Sequence, residues 1–289
     1  LTDPQTMEDS NDTTNNTISP NNDSELVTPD IMKNIINEML TDPQKLQSGH
    51  SLFSRIETCK GFYTSLLFIA LNSQSSKKEV KLSSSVLLNF MRKNWSDDNY
   101  ISLEEKMEIF AALTSNIHHS DYYLNNCIAK LLGLISAKEW PNSYEVLIKK
   151  IVKGLTESSD PTLTETFLRI MSCILDECDD RIAQMTAELL PVIIDAFKNS
   201  DKNQKNREKC LKIIAQLLNK LSFADGTDPD LVTKSLDSNK CIEQCLSLFV
   251  SIIISSPKNL FDIKKYAIKT LDILVRDMPI YSSSFFSEM

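Results

Sequence analysis

Five segments, at 80–95, 124–140, 163–178, 207–222 and 263–278, carry aliphatic side chains on more than one helical face. Their starts lie roughly 40 residues apart until a longer loop around Asp225-Gly226-Thr227-Asp228-Pro229 stretches the last interval. A helix that is apolar on two sides must be covered on two sides. One such helix can sit in the middle of a bundle, but five at a regular interval call for a stack in which each covers the next.

The segments between them complete the pattern. Residues 44–58 with 60–73, 78–95 with 102–117, 122–138 with 143–155, 162–178 with 182–198, and 205–222 with 240–255 read as successive helical hairpins, followed by a last helix at 261–277. Polar turns such as Ser96-Asp97-Asp98-Asn99 separate the helices, and Thr28-Pro29 opens a lead-in helix whose stripe is Ile31, Ile35, Ile36 and Met39. The expected fold is all-α, a right-handed α-solenoid of HEAT/armadillo-like hairpin repeats over 28–289. Pro191 falls inside an apolar helix and is expected to kink it.

Composition narrows what such a stack can do. Only five glycines occur in 289 residues, too few for many phosphate-cradling loops or nucleophile elbows, and no P-loop, dinucleotide fingerprint or Gly-x-Ser-x-Gly is present. The three histidines, His50, His118 and His119, lack matching metal-ligand spacing, and the seven cysteines form no CxxC pair. Reduced thiols in the core, no catalytic residues, no cofactor and no metal are the expectation. No apolar run approaches the ~20 residues a bilayer demands, so membrane insertion is not expected.

Formal net charge is −8, and residues 1–30 hold seven acids without one Lys or Arg. The remainder is nearly neutral, with 32 acids against 31 bases, which argues against wrapping nucleic acid directly. Residues 1–27, rich in Asn, Asp, Ser and Thr, read as a disordered acidic tail. It either keeps the chain soluble or screens a basic partner.

Polar faces of the second helices of the pairs are the candidate binding surface. On 102–117, Leu103, Met107, Phe110 and Ile117 form the expected core side, while Glu105, Glu108, Ala112 and Ser115 share the opposite, solvent side. The same reading selects Glu145, Lys149, Lys150 and Lys153 on 143–155 and Asp195 and Lys198 on 182–198. In a HEAT solenoid these faces are expected to line the concave surface. An ordinary solvated face is the alternative.

From residue 44 to about 198 the chain resembles the amino-terminal region of the importin-β (karyopherin) family. The resemblance is carried by Lys60-Gly61-Phe62 with Leu66-Leu67-Phe68-Ile69-Ala70, Val80 with Leu87-Leu88 and Asn94-Trp95, Glu104-Glu105-Lys106, Ile128-Ala129, and Glu139-Trp140-Pro141. Ala187-Glu188-Leu189-Leu190-Pro191 and Met278-Pro279 are similar to later repeats of the histone-importing, importin-nine type. Tyr144 stands where that family has a second Trp, and the first hairpin lacks the Arg-x-x-Ala-Glu opening.

The resemblance implies a nuclear transport receptor, shuttling between cytoplasm and nucleus. Such a receptor binds Ran-GTP at its amino-terminal repeats (about 44–156, with further repeats at 157–289), carries protein cargo that includes basic proteins such as histones, and contacts nucleoporins. It also implies a longer chain, of which this is an amino-terminal portion. A HEAT or armadillo scaffold in a static complex is the competing expectation, and an α-helical enzyme a third.

Overall fold

A computed structural model describes residues 26–41, 43–119, 121–139, 142–178, 186–222, 241–255 and 261–277. Among these residues every regular element is an α-helix, twelve in all. They are α1 (Pro29–Thr41), α2 (Pro43–Ile56), α3 (Phe62–Leu71), α4 (Lys77–Asn94), α5 (Leu103–Ser115), α6 (Tyr122–Lys138), α7 (Asn142–Glu157), α8 (Pro161–Glu177), α9 (Thr186–Asn199), α10 (Gln204–Ser222), α11 (Cys241–Ser255) and α12 (Phe261–Asp277). The tail to residue 25, the Trp140-Pro141 pair, the loop at 223–240 and Met278-Pro279 lie outside the described residues.

Helix starts follow from local capping chemistry. Ser76 caps α4 reciprocally with Glu79: Glu79 N–H donates to the Ser76 hydroxyl, and Ser76 N–H to the Glu79 carboxylate. Ser102 caps α5 and Asp121 caps α6, while α8 combines the Asp160 cap with Pro161 at its first position. Gly61 precedes α3 at φ 86°, and a Cβ there would meet the Val27 carbonyl oxygen at 2.5 Å. Only glycine suits both that backbone conformation and that approach. Val27, counted from the sequence as the end of the tail, is buried, donates its N–H to the Lys60 carbonyl at 2.9 Å, and accepts from the Ser65 hydroxyl at 2.8 Å.

The five recurring segments become α4, α6, α8, α10 and α12, each packed along the next in that order, with α6 against α8 the most intimate. Gly133 of α6 permits this approach, since a Cβ there would stand 2.8 Å from the backbone carbon and oxygen of Cys173 on α8. The other row, α3, α5, α7, α9 and α11, is looser: α5 and α7 scarcely meet, although the Lys150 ammonium of α7 reaches the Thr114 carbonyl of α5 at 2.7 Å. One hydrophobic core runs without a break from Val27 to Leu274 and crosses the 156/157 division drawn from the sequence.

The pairing of helices differs from the sequence expectation. The close partners are α3 with α4, α9 with α10 and α11 with α12, and α5 packs on α6, whereas α4 meets α5, and α8 meets α9, at hardly any residues; α7 packs on both α6 and α8, so the expected α6–α7 hairpin is kept. Elsewhere the frame is offset by one helix, with the aromatic faces lying across the α3–α4 seam. Phe62 of α3 stands edge-on to Phe90 of α4 at 5.4 Å, and Phe53 of α2 stands edge-on to both. The lead-in helix α1 packs on α2, α3 and α4 through Met32, Ile36 and Met39. Helix α9 runs through Pro191.

Buried polar groups pin neighbouring helices. Asn94 at the end of α4 donates to Glu57 at 2.9 Å and to the Tyr63 hydroxyl at 2.9 Å. Trp95, fully buried, donates its indole N–H to Glu139 at the end of α6, 2.8 Å away. These bonds fix the register of the stack at one end of the row, because each lost partner would strand a polar atom in the core.

Candidate interaction surfaces

The eight residues singled out from the sequence fall on α5, α7 and α9, one row of the structure. Glu108 and Ser115 on α5, Glu145, Lys149 and Lys153 on α7, and Asp195 and Lys198 on α9 are exposed. Glu105 is not: it is 5% exposed. Its carboxylate accepts from the Thr64 backbone N–H at 3.2 Å and from the Thr64 hydroxyl at 3.3 Å.

The cause is at the start of α3. Gly61 has no side chain to accept the free N–H groups of that helix, so Glu105 supplies the missing acceptor from the adjacent helix. Burial raises its carboxyl above the ordinary range, although the Thr64 and Tyr63 N–H bonds pull the other way.

With Glu105 turned inward, α5 presents a different face from the one expected. Its buried positions are Glu105, Lys106, Ile109 and Leu113. Leu103 and Met107, assigned to the core side from the sequence, are 70% and 65% exposed. Ile117 does face the core and Phe110 is half-buried. Lys106 is held inward by Asp98 at 2.6 Å and lies over the Trp95 ring at 5.9 Å.

Exposed Phe68 on α3, Leu103 and Met107 on α5, and Val146 on α7 therefore stand among the charged residues of the same row. Thr64–Glu105 and the exposed Lys60–Glu104 pair at 3.5 Å place the starts of α3 and α5 side by side. The charged candidates largely pair locally: Lys149 with Glu145 at 2.6 Å, Lys198 with Asp195 at 3.4 Å, and Lys153 with Glu157 at 4.0 Å. Exposed pairs of this type are screened by water and contribute little, so a partner can displace them cheaply. Nothing in the sequence separated Leu103 and Met107 from true core positions, since their spacing is that of a buried stripe.

Along α4, α6, α8 and α10 the opposite row is laced by polar bonds, while α12 at its end exposes Phe261, Ile268 and Val275. The Tyr123 hydroxyl of α6 lies 3.1 Å from the Ser85 hydroxyl of α4, with the Lys81 ammonium over its ring at 5.7 Å. Arg92 of α4 reaches Glu177 of α8 at 2.7 Å, past α6. Ser172 and Asp176 of α8 are tied to Gln216 of α10.

His119 Nδ1 accepts the Asp121 N–H at 3.0 Å, and the His119 N–H donates to Asn125 at 2.8 Å. Burial pushes the thiols of Cys127, Cys173 and Cys210 up, the latter two to about 11 and about 12, so they are not poised as nucleophiles. Among the described residues no group of three His, Cys, Asp or Glu side chains is placed to hold a metal ion, and no helix is long and apolar enough to cross a membrane. No protein-family model matches the chain, and no curated protein matches it.

Proposed function

We propose that the chain is a right-handed α-solenoid of HEAT/armadillo-like hairpins that works as a binding scaffold of the nuclear transport receptor kind. In this reading it binds Ran-GTP through α5 and α7 and carries protein cargo. The observation that supports a macromolecular partner is the exposure of large apolar side chains along the row of α3, α5 and α7. Phe68, Leu103, Met107 and Val146 are exposed on those helices, which also carry exposed Glu108, Lys149 and Lys153. Apolar anchors with charges on the same elements are the composition of a protein interface, in which the anchors supply affinity and the charges set selectivity. The choice of Ran and cargo as partners rests on the importin-β resemblance of residues 44 to about 198.

Capture of Ran on the immobilised chain, in its GTP-locked and GDP-bound forms, tests the proposal. The expected result is capture of the GTP form alone, weakened at least tenfold by Leu103→Glu with Met107→Glu, changes in exposed side chains that leave the core intact. Equal capture of both nucleotide states, or of neither, defeats the transport reading and leaves a static scaffold.

A further inference from the structure

At the α6–α8–α10 junction, three cations converge on one carboxylate oxygen. Glu165 Oε1 of α8 receives Arg169 Nη2 at 2.8 Å, Lys205 Nζ at 2.8 Å and Lys209 Nζ at 2.9 Å. One negative charge faces three positive ones, so the group carries two positive charges in excess. Glu208, the next acid along α10, accepts instead from the Gln204 amide at 3.0 Å.

Arg169 is the informative member. It is only 8% exposed, yet its Nη1 is buried without a hydrogen-bond partner. A buried guanidinium N–H that finds no acceptor carries a full desolvation cost. Its guanidinium lies over the ring of Tyr122, the first residue of α6, 4.3 Å away, with the Lys205 ammonium over the same ring at 5.3 Å. Tyr122 is itself 62% exposed, a large side chain lying over a charged cluster rather than in the core. A π-face attracts the cations but accepts no conventional hydrogen bond from Nη1.

We propose that this cluster is a phosphoryl-oxyanion site. A phosphoryl dianion cancels the two excess charges and offers oxygens in several directions to the N–H groups of Lys205 and Lys209 that Glu165 leaves unused, and to Arg169 Nη1 once the exposed Tyr122 ring swings aside. A single carboxylate would cancel only half the excess. Guanidinium supplies directional bonds and the two ammonium groups add charge that adapts to position, the division of labour expected for phosphate recognition. The source of the group is either free phosphate or a phosphorylated side chain on a partner polypeptide.

Isothermal titration of the full chain at fixed ionic strength decides the matter, with inorganic phosphate in one arm and a short phosphoserine peptide in the other. The unphosphorylated peptide is the control, and wild type is compared with Lys205→Gln and Lys209→Gln. One saturable site is expected, weakened about tenfold by either substitution. Lys205 lies at the exposed edge of the cluster, so its variant keeps the test valid if Lys209→Gln perturbs folding. Tighter binding of the phosphopeptide assigns the site to a modified partner, and comparable binding assigns it to free phosphate. No saturable binding of either probe below about 10 mM, or binding that both variants retain unchanged, overturns the proposal.

Discussion

Replacing Gly133 with alanine tests the tight row at its closest point. In the interior of an exposed helix the change would stabilise by about 0.8–1.0 kcal/mol through helix propensity. Here the new Cβ would stand 2.8 Å from both the backbone carbon and oxygen of Cys173, and 3.1 Å from its Cβ. Backbone atoms cannot rotate aside, so α6 and α8 must separate by several tenths of an ångström along a seam lined by Leu131, Leu132, Leu168 and Met171, all buried. Overpacking of that kind costs about 1–3 kcal/mol, which at the middle of the range is twice the propensity gain. Gly133→Ala should therefore lower stability by about 1 kcal/mol and by no more than about 2, read as a shift in the urea midpoint at unchanged slope. A variant stabilised by the full propensity gain would show that the two helices do not approach as described.

Three further outcomes follow from individual side chains. Because the folded-state pKa of Glu105 is raised, its contribution to stability is complete below about pH 4.5 and is lost as pH rises through the folded value. Glu105→Gln, which keeps the acceptor for Thr64, should flatten that part of the pH–stability curve, and an unaltered slope would contradict it. Asn94→Ala removes the donor to Glu57 Oε2, whose other oxygen keeps Lys93 at 3.2 Å, and to the Tyr63 hydroxyl, and should cost about 1–3 kcal/mol in chemical denaturation. Finally, with its thiol held at about 11, Cys173 should label with iodoacetamide at pH 7.5 far more slowly than a free cysteine and reach the free rate in urea, whereas fast native labelling would contradict the burial.

The helical architecture was legible from local chemistry, and the binding face was only partly so. Segments 80–95, 124–140, 163–178, 207–222 and 263–278 announce α4, α6, α8, α10 and α12 because an apolar surface on two sides demands neighbours on two sides. Ser76, Asp121 and Asp160 mark helix starts because each cap bonds within its own first turn. Glu105 could not be read in this way, since what draws it inward is an uncapped N–H forty-one residues earlier. With Glu105 inward beside buried Ile109 and Leu113, Leu103 and Met107 point out, so the inward face of α5 is rotated from the expected one while Glu108 and Ser115 stay exposed. The Trp95–Glu139 bond and the gathering of Tyr122, Glu165 and Lys205 likewise depend on the spacing of stacked helices, which no local pattern encodes.

The order of the tight row is measured most directly by spin-label distances from Ser85 on α4 to Lys130 on α6, Lys212 on α10 and Lys269 on α12, all exposed positions. Consecutive helices packed at about 8–10 Å give separations that rise step by step, to roughly 30–40 Å between α4 and α12. Distances that all stay below about 20 Å would place α4 and α12 in one compact bundle and contradict the stack.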